Sequence, residues 1–109
     1  MALLDRLRQE LDRAGRSAQR AIDEGRLRLE LYRARQSVDR FAQRFGYAVY
    51  NARKSGGELP ADDYTAHMNN ITAAESEVAR LETLVAEAAK GRRELLNPTP
   101  QDAPPPSGP

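Results

Sequence analysis

The chain has 109 residues, enough for one domain and a tail, and carries a net charge of only +1. Ala, Glu, Lys, Leu and Arg supply 55 of them, the composition of a coiled coil or long helix, while 26 large apolar residues fill a narrow helical seam but not a deep globular core. The absence of Cys excludes disulfides, thiol catalysis and Cys-ligated metal sites, the single His67 excludes a His-rich metal site within one chain, and no apolar run reaches the roughly 18 residues of a membrane span.

The small net charge hides a segregation. Residues 1–54 carry 13 basic and 7 acidic groups, whereas residues 55–97 carry 4 basic and 8 acidic. A basic half followed by an acidic half suits two helices that fold back on each other and neutralise one another. The sharper alternative is a basic face left free for anionic lipid or nucleic acid.

From the N-terminus, apolar and small residues fall at Leu4, Leu7, Leu11, Ala14, Ala18, Ala21 and Gly25, in alternating steps of three and four. That is a heptad seam. The pattern resumes at Leu27, Leu31, Ala34, Val38, Phe41, Phe45, Ala48 and Ala52, after a slip of register near Gly25. Residues 3–54 therefore predict one long helix. Gly25, and secondarily Gly15, are where a bend or break is expected, since Gly costs a helix about 1 kcal/mol relative to Ala.

Ser55-Gly56-Gly57 and Pro60 are the first punctuation strong enough to end that helix. Gly56 or Gly57 suits the left-handed conformation that closes a helix, and Pro60 suits a first helical turn. Asp62 and Asp63 then stand at the positive end of a second helix dipole, over about residues 60–96. Its expected seam is Tyr64, Met68, Ile71, Ala74, Val78, Leu81, Val85, Ala88 and Leu95, interrupted by Arg92. Residues 97–109 hold six prolines and predict a disordered tail of polyproline character, whose PxxP match at Pro106–Pro109 is a weak docking signal.

A hairpin closing at Gly56–Gly57 sets Leu81 against Ala34 and Leu95 against the turn around Arg20. Residues 2 to about 18 then have no partner in the chain, although Leu3, Leu4, Leu7 and Leu11 form an apolar stripe. Leu29, with Ile22, Gly25 and Tyr32, forms a further stripe roughly opposite Leu27 and Leu31. A helix apolar on two sides normally touches more than one neighbour. The alternation Leu27, Leu29, Leu31 also fits a short strand, but helical repeats flank it on both sides. Phe41 and Phe45 read as core anchors; Tyr47 and Tyr50 flank them, as half-buried packing or as partner contacts.

Catalytic signals are weak. Asp63 and His67 are four residues apart on one helix face, but no third ligand or activated nucleophile accompanies them, and a helix-start Asp with a solvent-facing or capping His is the simpler reading. Asp62/Asp63 and Glu75/Glu77 lack the apolar pocket that would make paired carboxylates acid and base. No phosphate-loop, dinucleotide or zinc-protease motif occurs. Arg6, Arg13 and Arg20 recur every seven residues, with Arg16 between them. They read as a solvated face with intrahelical pairs such as Glu24–Arg28 and Asp12–Arg16, or as headgroup-level residues of a membrane-surface helix.

The order of these features resembles a loose group of small uncharacterised bacterial helical-hairpin proteins. The shared elements are the amphipathic start Met1-Ala-Leu-Leu-Asp-Arg-Leu7, the alternating Leu27, Leu29 and Leu31, and Phe45-Gly46-Tyr-Ala-Val49-Tyr50 near the end of the long helix, followed by a shorter acidic coiled-coil helix. Relatives in that group often end in a Cys-x-x-Cys zinc ribbon. Here a Pro-rich tail stands in its place, so no zinc-linked role carries over. The resemblance covers about residues 1–96 and implies no enzymatic activity.

The expected fold is all-α: an amphipathic N-terminal arm over 1–22, an antiparallel helical hairpin over 23–96 with its turn at 55–60, and a disordered tail over 97–109. The expected function is a non-enzymatic coiled-coil scaffold or adaptor, cytoplasmic, binding a second copy of itself or a protein partner through Leu4, Leu7, Leu11, Ile22, Leu29 and Tyr32. The alternative is a peripheral protein of the inner membrane face, with residues 1–22 on anionic lipid and Arg6, Arg13, Arg16 and Arg20 at headgroup level. Interleaved acids and scarce lysines argue against nucleic acid, and no cofactor, metal or small-molecule substrate is expected.

Overall fold

A computed structural model describes residues 2–96 of the chain; the expected disordered tail over 97–109 lies outside them. Two helices make up the fold, α1 (Ala2–Lys54) and α2 (Ala61–Leu96), packed side by side with no strand among the described residues. The segment around Leu27, Leu29 and Leu31 is helical, so the alternation there is not that of a strand.

α1 is unbroken for 53 residues. Neither Gly15 nor Gly25 interrupts it, and an added Cβ at either would meet open space. The longest dimension of the molecule, 82 Å, matches the roughly 80 Å of such a helix at about 1.5 Å per residue. Its glycines are tolerated because flanking good helix formers such as Ala, Leu and Arg outweigh a cost of about 1 kcal/mol each.

The turn is built by glycine chemistry. Gly56 takes φ 83°, the left-handed conformation that costs an L side chain about 1–2 kcal/mol. The Gly57 N–H donates to the Ala52 carbonyl at 3.0 Å and the Gly56 N–H to the Arg53 carbonyl at 3.0 Å. These two bonds are the Schellman closure, which satisfies carbonyls left over at the end of α1. Pro60 immediately precedes α2; its carbonyl accepts the Tyr64 N–H at 3.0 Å, and Asp62 and Asp63 occupy the first turn.

The side of α1 facing α2 is the line Leu27, Leu31, Ala34, Val38, Phe41, Phe45, Ala48 and Ala52, all buried or half-buried. On α2 the facing line is His67, Ile71, Ala74, Val78, Leu81, Leu84, Val85 and Ala88. Met68 and Leu95, expected on this seam, are instead 45% and 47% exposed, and His67 and Leu84 take part in their place. His67 continues the steps of four and three through Ile71, Ala74, Val78, Leu81, Val85 and Ala88, which Met68 breaks. The Phe45 ring stacks on the His67 imidazole at 5.5 Å, with Tyr64 edge-on at 4.9 Å. His67 is thus a half-buried stacking partner, not the solvent-facing or capping residue expected.

Among the described residues, Leu31 and Leu81 are the buried apolar ones, at 7% and 2% exposure. Truncating Leu81 to Ala should destabilise the fold by about 2–4 kcal/mol, whereas Leu29→Ala should shift it by no more than about 0.5 kcal/mol. Urea unfolding followed by circular dichroism distinguishes the two. Equal losses would show that the seam is misassigned.

Candidate docking surface

One turn of α-helix takes about 3.6 residues, so residues 18 apart lie five whole turns apart and on one line of a straight helix. α1 is written at this spacing. Leu11, Leu29 and Tyr47 share one line; Ala14, Tyr32 and Tyr50 share the next; Leu4 and Ile22, and Leu7 and Gly25, continue the set. The large residues among them are all exposed: Leu4 at 60%, Leu7 at 57%, Leu11 at 67%, Ile22 at 56%, Leu29 at 48% and Tyr32 at 59%. Tyr47 and Tyr50 are exposed as well. Gly46 lies beside Tyr47 and Tyr50, and together with Gln43 these residues line a shallow groove.

The slip of register near Gly25 is therefore a change of face and not a bend. The run from Leu4 to Gly25 does not continue into the seam that meets α2; it continues into Leu29, Tyr32, Tyr47 and Tyr50 on the far side. The expected N-terminal stripe and the expected Leu29 stripe are one surface. It extends from Leu4 to Tyr50, roughly 70 Å at 1.5 Å per residue. Polar Gln36, Arg40 and Gln43 interrupt it.

The same spacing places the arginines. Arg13, Arg16 and Arg20 stand 18 residues before Leu31, Ala34 and Val38, and Arg6 stands 18 before Glu24. All four continue the line that meets α2, beyond the end of α2, and are exposed. They lie across the helix from Leu4, Leu7 and Leu11, so they do not flank the apolar stripe as expected. Arg8, Arg26 and Arg44, again 18 apart, do flank it, with Arg33 on the same side. The seven-residue repeat at Arg6, Arg13 and Arg20 is local to the first turns of α1, whereas the eighteen-residue one holds only because the helix is continuous.

The expected neutralisation of basic α1 by acidic α2 is almost absent. Among the described residues, of the 13 basic side chains of α1 only Arg28 and Arg53 enter ion pairs, with Glu24 and with the turn residue Glu58. Glu24–Arg28 forms as expected, while Asp12 and Arg16 make no such pair. Among the described residues the one ion pair between the helices runs the other way, from Glu24 of α1 to Arg92 of α2, at 3.3 Å.

Among the described residues Glu24 is the one buried charged side chain, 6% exposed, at the open end of the hairpin where the apolar seam stops. Its Oε1 accepts from Arg28 Nη2 at 2.8 Å and Nε at 3.3 Å, and its Oε2 faces Arg92. The Arg28 hydrogen bonds, then the positive charges of Arg92, Arg28 and Arg93, outweigh desolvation and hold its carboxyl below the ordinary value near 4.5. Arg92 thus interrupts the apolar seam of α2 in order to meet a carboxylate, Glu24, at the matching height of α1.

Asp63 and His67 gain no third partner, and no group of three or more His, Asp or Glu among the described residues is placed to hold a metal. Among those residues, no helix is long and apolar enough to cross a membrane. Comparison with protein-family models, with curated proteins and with solved structures finds no match.

The Glu24 contacts set a pH dependence. A carboxyl lowered on folding stabilises the fold above its unfolded value, and that stability is lost as the pH falls through the folded value. Acidification from roughly pH 5 to pH 3 should lower the thermal midpoint of the native chain more steeply than that of Glu24→Gln, which starts lower at neutral pH. Parallel profiles for the two proteins would show that Glu24 does not clasp the helices.

Proposed function

We propose that the protein is a non-enzymatic helical scaffold whose working surface is the outer side of α1. The observation that carries this reading is the exposed stripe from Leu4 to Tyr50. Exposed Leu, Ile and Tyr scattered singly are ordinary, but their alignment on one face, from Leu4 to Tyr32 and again at Tyr47 and Tyr50, is a mark of interaction sites. α2 covers one side of α1 and, with no apolar line on its own outer side, acts as the brace. Thr65, Thr72, Ser76 and Thr83 lie on that outer side, all exposed. The hairpin therefore offers one face to a partner, not two.

A helix of a second copy or of another protein fits such a face, as does the surface of an anionic membrane. Leu7→Glu combined with Leu11→Glu should leave helicity unchanged, because both side chains are exposed. It should abolish association, read by sedimentation both as self-association in buffer and as recovery with vesicles. Full association of the double variant by either readout would sink the scaffold reading.

A further inference from the structure

We infer that the occupant of the α1 stripe is the surface of an anionic lipid bilayer, with the helix lying flat along it. This rests on the docking reading above and names its partner.

The first argument is the period. A helix that wraps around another helix keeps its apolar residues at seven-residue spacing, which imposes a left-handed supercoil. From Leu4 to Tyr32 the stripe keeps steps of three and four, but the seven-residue repeat ends there: from Leu29 it reaches Gln36 and Gln43, and from Tyr32 it reaches Asp39 and Gly46. The apolar side chains return instead after 18 residues, at Tyr47 and Tyr50. That spacing keeps them on a straight line over the whole helix. A straight line matches a flat surface better than it matches a second, coiling helix.

The second argument is charge. α1 carries 13 basic groups against 7 acidic, and α2 neutralises almost none of them by contact. Arg8, Arg26, Arg33 and Arg44 border the stripe on one side; toward the other lie Arg35, Arg28 and Arg53, the last two paired with Glu24 and Glu58, together with the acids Glu10 and Asp39, so the basic border is the first. Pairing two copies through this face would bring the same arginines together. Anionic headgroups would meet them instead, each arginine near the surface contributing about 1 kcal/mol or roughly fivefold in partitioning. Tyr32, Tyr47 and Tyr50, apolar rings with wet hydroxyls, suit the level of the headgroups. The acidic α2 is held on the far side of α1, away from the lipid.

The test is flotation of the full chain with phosphatidylcholine vesicles and with vesicles containing roughly one-third phosphatidylglycerol. Flotation with the anionic vesicles only, weakening as salt rises from about 0.1 M to 0.5 M, is the expected result. Two triple variants of equal charge change then test orientation. Arg8→Gln with Arg26→Gln and Arg33→Gln should weaken partitioning by roughly a hundredfold. Arg13→Gln with Arg16→Gln and Arg20→Gln, across a helix about a Debye length thick, should weaken it by less than about fivefold. Circular dichroism checks that both stay helical. Equal losses from the two triples, equal flotation with neutral vesicles, or no flotation would each overturn the inference. No flotation, together with self-association that Leu7→Glu/Leu11→Glu abolishes, would leave the docking reading standing with a second copy as occupant. Neither flotation nor self-association would remove both.

Discussion

A helix that is apolar on two opposite sides has a need that one partner helix does not meet. α1 is such a helix. Its inner side, from Leu27 to Ala52, is covered by α2. Its outer side, from Leu4 to Tyr50, is covered by nothing in the described chain. The rest of the architecture follows from this asymmetry. α2 is shorter, with 36 residues against 53, so it braces α1 over only part of its length and leaves the N-terminal turns as a free arm. Beyond the end of α2, the line that met it changes from Leu and Val to Arg13, Arg16 and Arg20, residues at ease in water.

The two ends of the hairpin are secured by different means. At the closed end the Schellman turn fixes the direction of the chain, and the Phe45, Tyr64 and His67 rings pack against one another. At the open end no covalent link holds the helices, and the apolar seam runs out. Glu24 takes over there, receiving Arg28 from its own helix and Arg92 from the other. A buried carboxylate is costly unless its oxygens are paired, so this contact favours one alignment of the helices over its neighbours. Both anchors lie on the inner side of α1, which leaves the outer side uninterrupted by structural duties.

Charge is distributed to the same effect. The excess of basic groups in α1 and of acidic groups in the rest of the chain sum to a net charge of +1 without the charges being paired individually. The basic groups of α1 remain in solvent, and Arg8, Arg26, Arg33 and Arg44 border the apolar stripe on one side. A molecule nearly neutral overall can thus present one strongly basic face.

By itself the sequence determined that there are two helices, where the turn lies, and which residues of α1 from Leu27 to Ala52 meet α2, because helix periodicity and glycine–proline punctuation are local signals. It also marked Leu4, Leu7, Leu11, Ile22, Leu29 and Tyr32 as apolar positions beyond the needs of the hairpin. Only the tertiary structure decided that these six lie on one face. That depends on α1 being continuous through Gly15 and Gly25, and a break at either would have separated the arm from the stripe. The structure likewise places His67 and not Met68 inward, in step with Ile71 and Ala74, where its imidazole stacks on the Phe45 ring. Glu24 and Arg92 become partners only when the hairpin closes, since residues 68 apart in sequence meet only through the fold.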